Sequence, residues 1–573
     1  MPPARAHPLL RFVRITVGYE EAFGEVGSVN AVVERLNHYS LERIVEVISR
    51  ITLITAYYSG EDHAKGQAHV AAALFGKSVL QQIMRAVAAR RGTKLDWKNA
   101  VLFHERQTLN LLKIALLSMP VDQPGAADDS LRPLGEALLM VNDLLDQGVV
   151  DSDPLDTDRK RAFELYLFAN VFFNQSTSEL ASLTRAYEFF FSEHPGLPGC
   201  SDLRSRLERA TGVDPDLLWW GLRALHAYFF VRKPDEIDAA PAVINRYSLL
   251  DGFRIPKADA DRLIDTAVID AAALKAEVES RYELDDLRPF DVLTFARHPL
   301  VSFEERAYCV SLPLLHELAG MGIQHRLLDQ SVFTEVERGE FLQCRGRIFE
   351  DYVQRLLKRT FGNARYIGEM DLKDTARGRK SCDAAVLYGD AVLLFEVKAA
   401  IAPLAAKAAE SWTAYEAAVT QAFIRSAEQL DGTIRLAEAG ALRGLGIDPA
   451  IVKRYVPVAV TLDLLVAPLT YYWLLEHLKS AGTLTNGKAL PLQILDVGEL
   501  ELVETAVANG RSALDLFERK ARNREWLGLS FRNFCNLINE EWLDEHNPYL
   551  KERFLDLSRR FEDLTEQFAK KAG

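Results

Sequence analysis

The residues of this chain best suited to chemistry lie in one stretch, Ser381 to Ala399, which reads SCDAAVLYGDAVLLFEVKA. Two apolar strands flank Gly389-Asp390. That pair suits a two-residue hairpin loop, because glycine at the first central position permits the positive φ of a type II′ turn. Counting outward sets Tyr388 against Ala391, Val386 against Leu393, Ala384 against Phe395 and Asp383 against Glu396. Residues two apart share a face, so Lys398 falls beside Glu396 and opposite Ser381. The register predicts two carboxylates about 5 Å apart at Cβ with an ammonium alongside. Like charges placed opposite each other need an offset, and a hard divalent cation held by oxygen ligands supplies one. Such a group serves metal-assisted phosphodiester cleavage. The carboxylates hold Mg²⁺ or Mn²⁺, which polarises a phosphoryl oxygen and lowers the pKa of water, while the lysine positions that water and stabilises developing charge.

The flanking elements must hold these groups. Ala385, Leu387, Val392 and Leu394 share the face of the three charges, and the opposite face is apolar too, as in a strand buried on both sides. Upstream, Gln343 to Thr360 (QCRGRIFEDYVQRLLKRT) predicts a helix with Ile348, Phe349, Tyr352, Val353, Leu356 and Leu357 on its buried stripe. Glu350 sits at the border of that stripe and Asp351 points to solvent. Downstream, Leu404 to Leu430 predicts an Ala-rich helix ending at Asp431-Gly432. Arg454 to Leu465, Leu492 to Val497 and Ala364 to Leu372 are expected as further strands.

Asp383, a hydrophobic strand and then Glu396-Val397-Lys398 resemble the signature of the PD-(D/E)xK nuclease superfamily. Cys382 stands where the family name has proline, a position that varies among members. The order helix, three strands, helix, strand, strand contains the αβββαβ core of the restriction-endonuclease-like fold, over about residues 335–505. The resemblance implies Asp383, Glu396 and the backbone carbonyl of Val397 as ligands of Mg²⁺ or Mn²⁺. It makes Glu350 the acid that completes the cluster and Lys398 the group that orients the attacking water. Gln421 is the preferred polar residue of the following helix near the water or phosphate, with Gln429 the other candidate. DNA stands ahead of RNA as the implied substrate, in defence or repair by analogy. Lys373, Arg377, Arg379 and Lys380, just before Asp383, are expected as nucleic-acid contacts, and Arg345 and Arg347 open the helix of Glu350.

The fold class expected is a multidomain α+β/α chain. It comprises a helical domain over 1–250, a helical connector over 251–335, the nuclease-like domain with a central mixed sheet over 336–505, and a helical C-terminal region over 506–573. With 573 residues, 48% of them apolar, several cores can be buried. A net charge of −13 argues against indiscriminate coating of nucleic acid and leaves a local basic surface open. Five scattered cysteines without a CxxC pair point to a reducing compartment, with neither a disulfide framework nor a zinc site. The N-terminus MPPARAHPLLRFVRI has arginines breaking any apolar run, and no segment approaches the ~20 apolar residues of a membrane span. A cytoplasmic protein without membrane contact is expected, open to a homo-oligomer or protein partner through its helical regions. Ala71 to Ser78 (AAALFGKS) matches a loose phosphate-binding loop, but its residues continue a helical pattern and no buried strand precedes them. A non-catalytic protein that retains the core to grip nucleic acid or a partner is the alternative, and sensing by the helical region is a third reading.

Overall fold

The computed structural model describes residues 15–59, 62–91, 100–125, 130–146, 157–173, 179–230, 242–246, 250, 255–368, 381–463 and 465–572. The chain is a mixed α/β protein in which helices predominate. It divides into two compact units: residues 1–153, 204–332 and 558–573 form the first, and residues 154–203 and 333–557 form the second.

The second unit carries Asp383 and Glu396. Its segment 154–203 supplies α1 (Glu179–Ala186), which runs into a π turn at Tyr187–Phe191. Helix α2 (Glu335–Phe361) follows, started by a capping box in which Thr334 and Glu337 satisfy each other's backbone donors. It begins earlier than the sequence predicts and buries the expected stripe from Ile348 to Leu357. Next come β1 (Tyr366–Ile367), β2 (Ala384–Tyr388) and β3 (Ala391–Lys398). They lead to α3 (Trp412–Val419), a π turn at Thr420–Ile424 and α4 (Arg425–Glu438). Strand β4 (Arg454–Thr461), α5 (Pro468–Ser480), β5 (Gln493–Asp496) and α6 (Val497–Ala508) complete the sequence of elements around the sheet.

These strands form one mixed sheet in the order β5-β4-β3-β2-β1. The β3–β4 and β4–β5 pairs are parallel, whereas β1, β2 and β3 form an antiparallel meander. The hairpin register is the one counted from Gly389, with Tyr388 against Ala391, Val386 against Leu393 and Ala384 against Phe395. Gly389 sits at φ 62°, the left-handed value that its turn position demands. Central β3 is buried from Ala391 to Val397. One face packs Ala385, Val392 and Leu394 against Tyr415, Val419, Phe423 and Ala427 of the α3–α4 stretch. On the other, Phe361 of α2 lies over Tyr388 and Phe395.

Two expectations in this unit are corrected. The Ala-rich helix does not run unbroken from Leu404 to Asp431-Gly432. A short helix at Leu404–Lys407 stops, Ala409 takes φ 59°, and Ser411 caps a fresh start at Trp412. At the far end α4 continues through Gly432 to Glu438, because the Asp431 carboxylate is held in place by the Leu484 N–H at 3.0 Å and by Arg435 at 2.5 Å. The cysteine reading also changes. Cys200 and Cys344, 144 residues apart, form a disulfide with a Cα–Cα distance of 5.3 Å, within the usual range. Scattered spacing could not show a pair that α2 and the loop after the first π turn bring together. The pairing removes cysteine usage as an argument for a reducing compartment.

Buried ion pairs tie segment 154–203 into this unit. Arg185 donates to both Glu501 oxygens, at 2.8 and 2.6 Å, and Tyr352 of α2 donates to the same carboxylate at 2.8 Å. Glu188 accepts from Tyr549 at 3.1 Å and from Arg355 at 3.3 Å, and it pairs with Arg553.

The first unit is largely helical but holds a four-stranded sheet, ordered Val243–Asn245, Arg306–Cys309, Leu300–Phe303, Val268–Asp270. The stretch 251–335 is therefore not a purely helical connector. Its strands are only three or four residues long, and short apolar runs of that length carry no decisive periodicity. Ala71 to Ser78 lies inside the His63–Arg91 helix, which kinks at Gly76, and not in a loop after a strand.

Arg185→Ala leaves the Glu501 carboxylate buried without its cation. Removing one partner of such a pair costs about 3–5 kcal/mol, so urea unfolding should shift to clearly lower denaturant. An unchanged midpoint would contradict the role given to this pair.

Candidate active site at the end of the hairpin

The site is built where the regular β2–β3 ladder stops, at Ala384 against Phe395. Asp383 bends out of the strand. Its N–H donates to the Phe395 carbonyl at 3.0 Å, and its Oδ2 accepts the Val397 N–H at 2.7 Å. A side-chain oxygen thus takes the backbone donor that a longer strand would have satisfied, and this fixes the Asp383 carboxylate against β3, flanking Glu396. The preceding residue is anchored from the helical side. The Cys382 N–H donates to the Thr433 hydroxyl at 2.9 Å, which donates in turn to the Gln429 carbonyl at 3.0 Å.

Glu396 is fully buried. Its Oε1 accepts from Lys398 Nζ at 2.5 Å, while Oε2 is buried and has no hydrogen-bond partner. An unsatisfied buried carboxylate oxygen is costly, and native structures seldom keep one without a ligand or a role. Burial first, and the Asp383 charge second, push the Glu396 carboxyl up to about 7; Lys398 opposes the rise and Glu350 adds to it. Asp383, Glu350 and Lys398 therefore act on one carboxylate. After Lys398 the strand ends, with the Ala400 N–H turned back onto the Lys398 carbonyl at 2.6 Å.

Of the other expected residues, Glu350 lies at an exposed position of α2. Val397 contributes its N–H to Asp383 and buries its side chain. Gln421 occupies an exposed position in the π turn, and Gln429 enters through its backbone carbonyl. Lys373, Arg377, Arg379 and Lys380 lie outside the described residues. Arg345 and Arg347 turn to the protein. Arg345 is buried and donates to the Ala399 carbonyl at 3.3 Å, and Arg347 donates to the Pro198 carbonyl. The reading from sequence missed Thr433, which sits mid-helix and gives no local signal.

Among the described residues, no group of three or more His, Cys, Asp or Glu side chains is placed to hold a metal ion unaided. Mg²⁺ is commonly bound through one or two carboxylates, with water and substrate oxygens filling the remaining positions. Asp383 and Glu396 fit that donor set, and the partnerless Glu396 Oε2 is the atom that a cation would satisfy. Comparison with known proteins places the chain in no family. No family description, curated protein or solved structure matches it.

The Glu396 proton gives a signed pH effect. Between about pH 4.5, the ordinary value, and about 7, the folded chain holds a proton that the unfolded chain has released. This group's contribution to stability without metal is therefore lost as pH rises through that window. A divalent cation competes with the proton, so the upshift in melting temperature on adding Mg²⁺ or Mn²⁺ should be larger at pH 8 than at pH 5.5, and absent in Glu396→Gln. Equal shifts at both pH values, or a shift retained in the variant, would contradict this reading of Glu396.

Proposed function

We propose that the chain is a metal-dependent nuclease that hydrolyses phosphodiester bonds, with DNA as the substrate. The observation that carries the reading is the fully buried Glu396 with one partnerless oxygen, flanked by Asp383 and bonded to Lys398. Two carboxylates and an ammonium at the end of a buried strand match the needs of phosphoryl chemistry better than those of a fold stabiliser. A buried carboxylate that only stabilises is expected to have its oxygens paired.

In this reading Asp383, Glu396 and the Val397 carbonyl would hold Mg²⁺ or Mn²⁺, with Glu350 completing the acidic cluster. The cation would supply Lewis acidity toward a phosphoryl oxygen and make water a better nucleophile. The chain's own residues do the rest. Asp383 is oriented by the Val397 N–H, so one carboxylate oxygen is fixed before substrate arrives. Lys398 is about one-third exposed, so its ammonium can leave Glu396 to orient the attacking water and meet charge developing on the phosphate. Gln421 is a further candidate at the phosphate. The mixed sheet supports the reading by its form, since β3, β4 and β5 are parallel and Lys398 and Asp496 lie level with Thr461 at their carboxyl ends. Ligands of open α/β sheets bind outside such ends. The resemblance to the restriction-endonuclease-like core belongs to this proposal, as do the nucleic-acid contacts of Lys373, Arg377, Arg379 and Lys380. No helix among the described residues is long and apolar enough to cross a membrane.

Plasmid and single-stranded DNA incubated with Mg²⁺ or Mn²⁺ should be cut by the wild type. Cutting should fall by at least about a hundredfold in Asp383→Ala and Lys398→Ala, the scale of losing a major electrostatic contributor to the transition state. No metal-dependent cutting of DNA or RNA, or equal rates in the variants, would overturn the assignment. Nucleic-acid binding without cutting would favour the non-catalytic alternative.

A further inference from the structure

Helix α2 is anchored within a single turn. Cys344 is joined to Cys200 by the disulfide, and Arg347 donates to the Pro198 carbonyl of the same loop. Between them Arg345 reaches the sheet, where it donates to the Ala399 carbonyl at 3.3 Å. Two contacts thus fix this turn to segment 154–203, and the third passes the fixed position on to the end of β3. The Arg345 side chain is buried, and its buried neighbours on the same face of α2 are Phe341, Ile348 and Phe349. A guanidinium stripped of water among apolar side chains is a costly way to tie a helix to a strand. Asp463, two residues past the end of β4, favours its charge and is itself paired with Lys407 at 2.8 Å.

The carbonyl that Arg345 holds belongs to the residue directly after Lys398. Lys398 is the last residue of β3 with a ladder partner, Thr461. Up to that point the neighbouring strands hold the backbone. Beyond it the chain reverses, with the Ala400 N–H on the Lys398 carbonyl at 2.6 Å, and Arg345 grips the carbonyl in the middle of the reversal. The lysine carries its ammonium on a flexible four-carbon stem. In the proposed chemistry that ammonium leaves Glu396 Oε1 and meets the attacking water and the phosphate. Its reach is defined only if the backbone beneath it stays put. A displacement of about 1 Å at a reacting group can cost about a hundredfold in rate.

We propose that Arg345 is a positioning residue for Lys398, its guanidinium holding the Ala399 carbonyl so that the reversal after β3 presents the ammonium to the reacting phosphate. The inference rests on the proposed phosphodiester cleavage and deepens it by naming the residue that supports its lysine. Arg345 touches neither cation nor substrate in this scheme, so its effect is on turnover and not on affinity for metal or DNA.

The test is DNA cleavage by the full chain with Mn²⁺, measuring kcat and KM for Arg345→Met and Arg345→Lys beside the wild type and Lys398→Ala. Mn²⁺ binding is followed in parallel by titration calorimetry. Arg345→Met keeps an unbranched apolar stem and loses the donors. Its kcat should fall about ten- to a hundredfold, while KM and Mn²⁺ affinity stay at the wild-type values. Arg345→Lys keeps a donor for the same carbonyl and should recover most of the loss. A wild-type kcat in Arg345→Met, with Lys398→Ala inactive, would overturn the role of Arg345 and leave the nuclease standing. Loss of folding or of Mn²⁺ binding in Arg345→Met, or a rate that Arg345→Lys does not restore, would mark the side chain as a structural tie and overturn the role equally. If the wild type cuts neither DNA nor RNA, the nuclease reading fails and the role of Arg345 fails with it.

Discussion

The interior position of one carboxylate constrains everything around it. Glu396 lies on the central strand of a five-stranded sheet with no solvent contact, and only one of its oxygens is satisfied. A second carboxylate, Asp383, is held against the same strand by a backbone N–H, where it raises the proton affinity of the first. Such an arrangement is unfavourable in isolation. It persists because the hairpin register, set at Gly389, leaves no other way to keep both strands paired and both faces apolar. A one-residue slip would move Leu394 and Val392 from the face packed against α3 and α4 to the face covered by α2, and would spoil the fit on both. The energy that holds the charges together is thus the burial of the residues between them.

The same logic explains why the unit that contains the hairpin is assembled from distant parts of the chain. Helix α2 carries Glu350 and covers one face of the sheet, and its Arg355 reaches Glu188 and Tyr549, both beyond the expected core. Arg185 and Glu188 come from a stretch some 150 residues earlier in the chain, and Cys200 binds covalently to Cys344 of α2. A fragment limited to residues 336–505 would leave Glu501 buried without Arg185, the most costly kind of vacancy for a protein interior.

Much of the sheet was legible in the sequence, because strands buried on both faces read as continuous apolar runs and a Gly-Asp pair marks the turn between them. The register from Tyr388 to Ala384 could be counted residue by residue. The bend at Asp383 could not, since it depends on its own side chain replacing a ladder hydrogen bond with Val397. The α2 stripe was legible from its spacing, but its early start at Glu335 rests on a Thr334–Glu337 capping box that precedes any apolar periodicity. The end of α4 was misjudged because Asp-Gly is a common stop signal, overridden here by the contacts of Asp431 to Leu484 and Arg435. The Cys200–Cys344 pair and the Arg185–Glu501 pair are products of tertiary structure, and no local pattern announces them.

The most direct test of the central claim, that Asp383 and Glu396 together form a cation site, is a crystal structure of the protein grown with Mn²⁺ and measured for anomalous scattering. The account predicts an anomalous peak about 2 Å from Glu396 Oε2 and within bonding reach of the Asp383 carboxylate, the distance expected for a hard cation with oxygen ligands. Absence of a peak at these two carboxylates at saturating Mn²⁺, or side chains that point to opposite faces of the sheet, would contradict it.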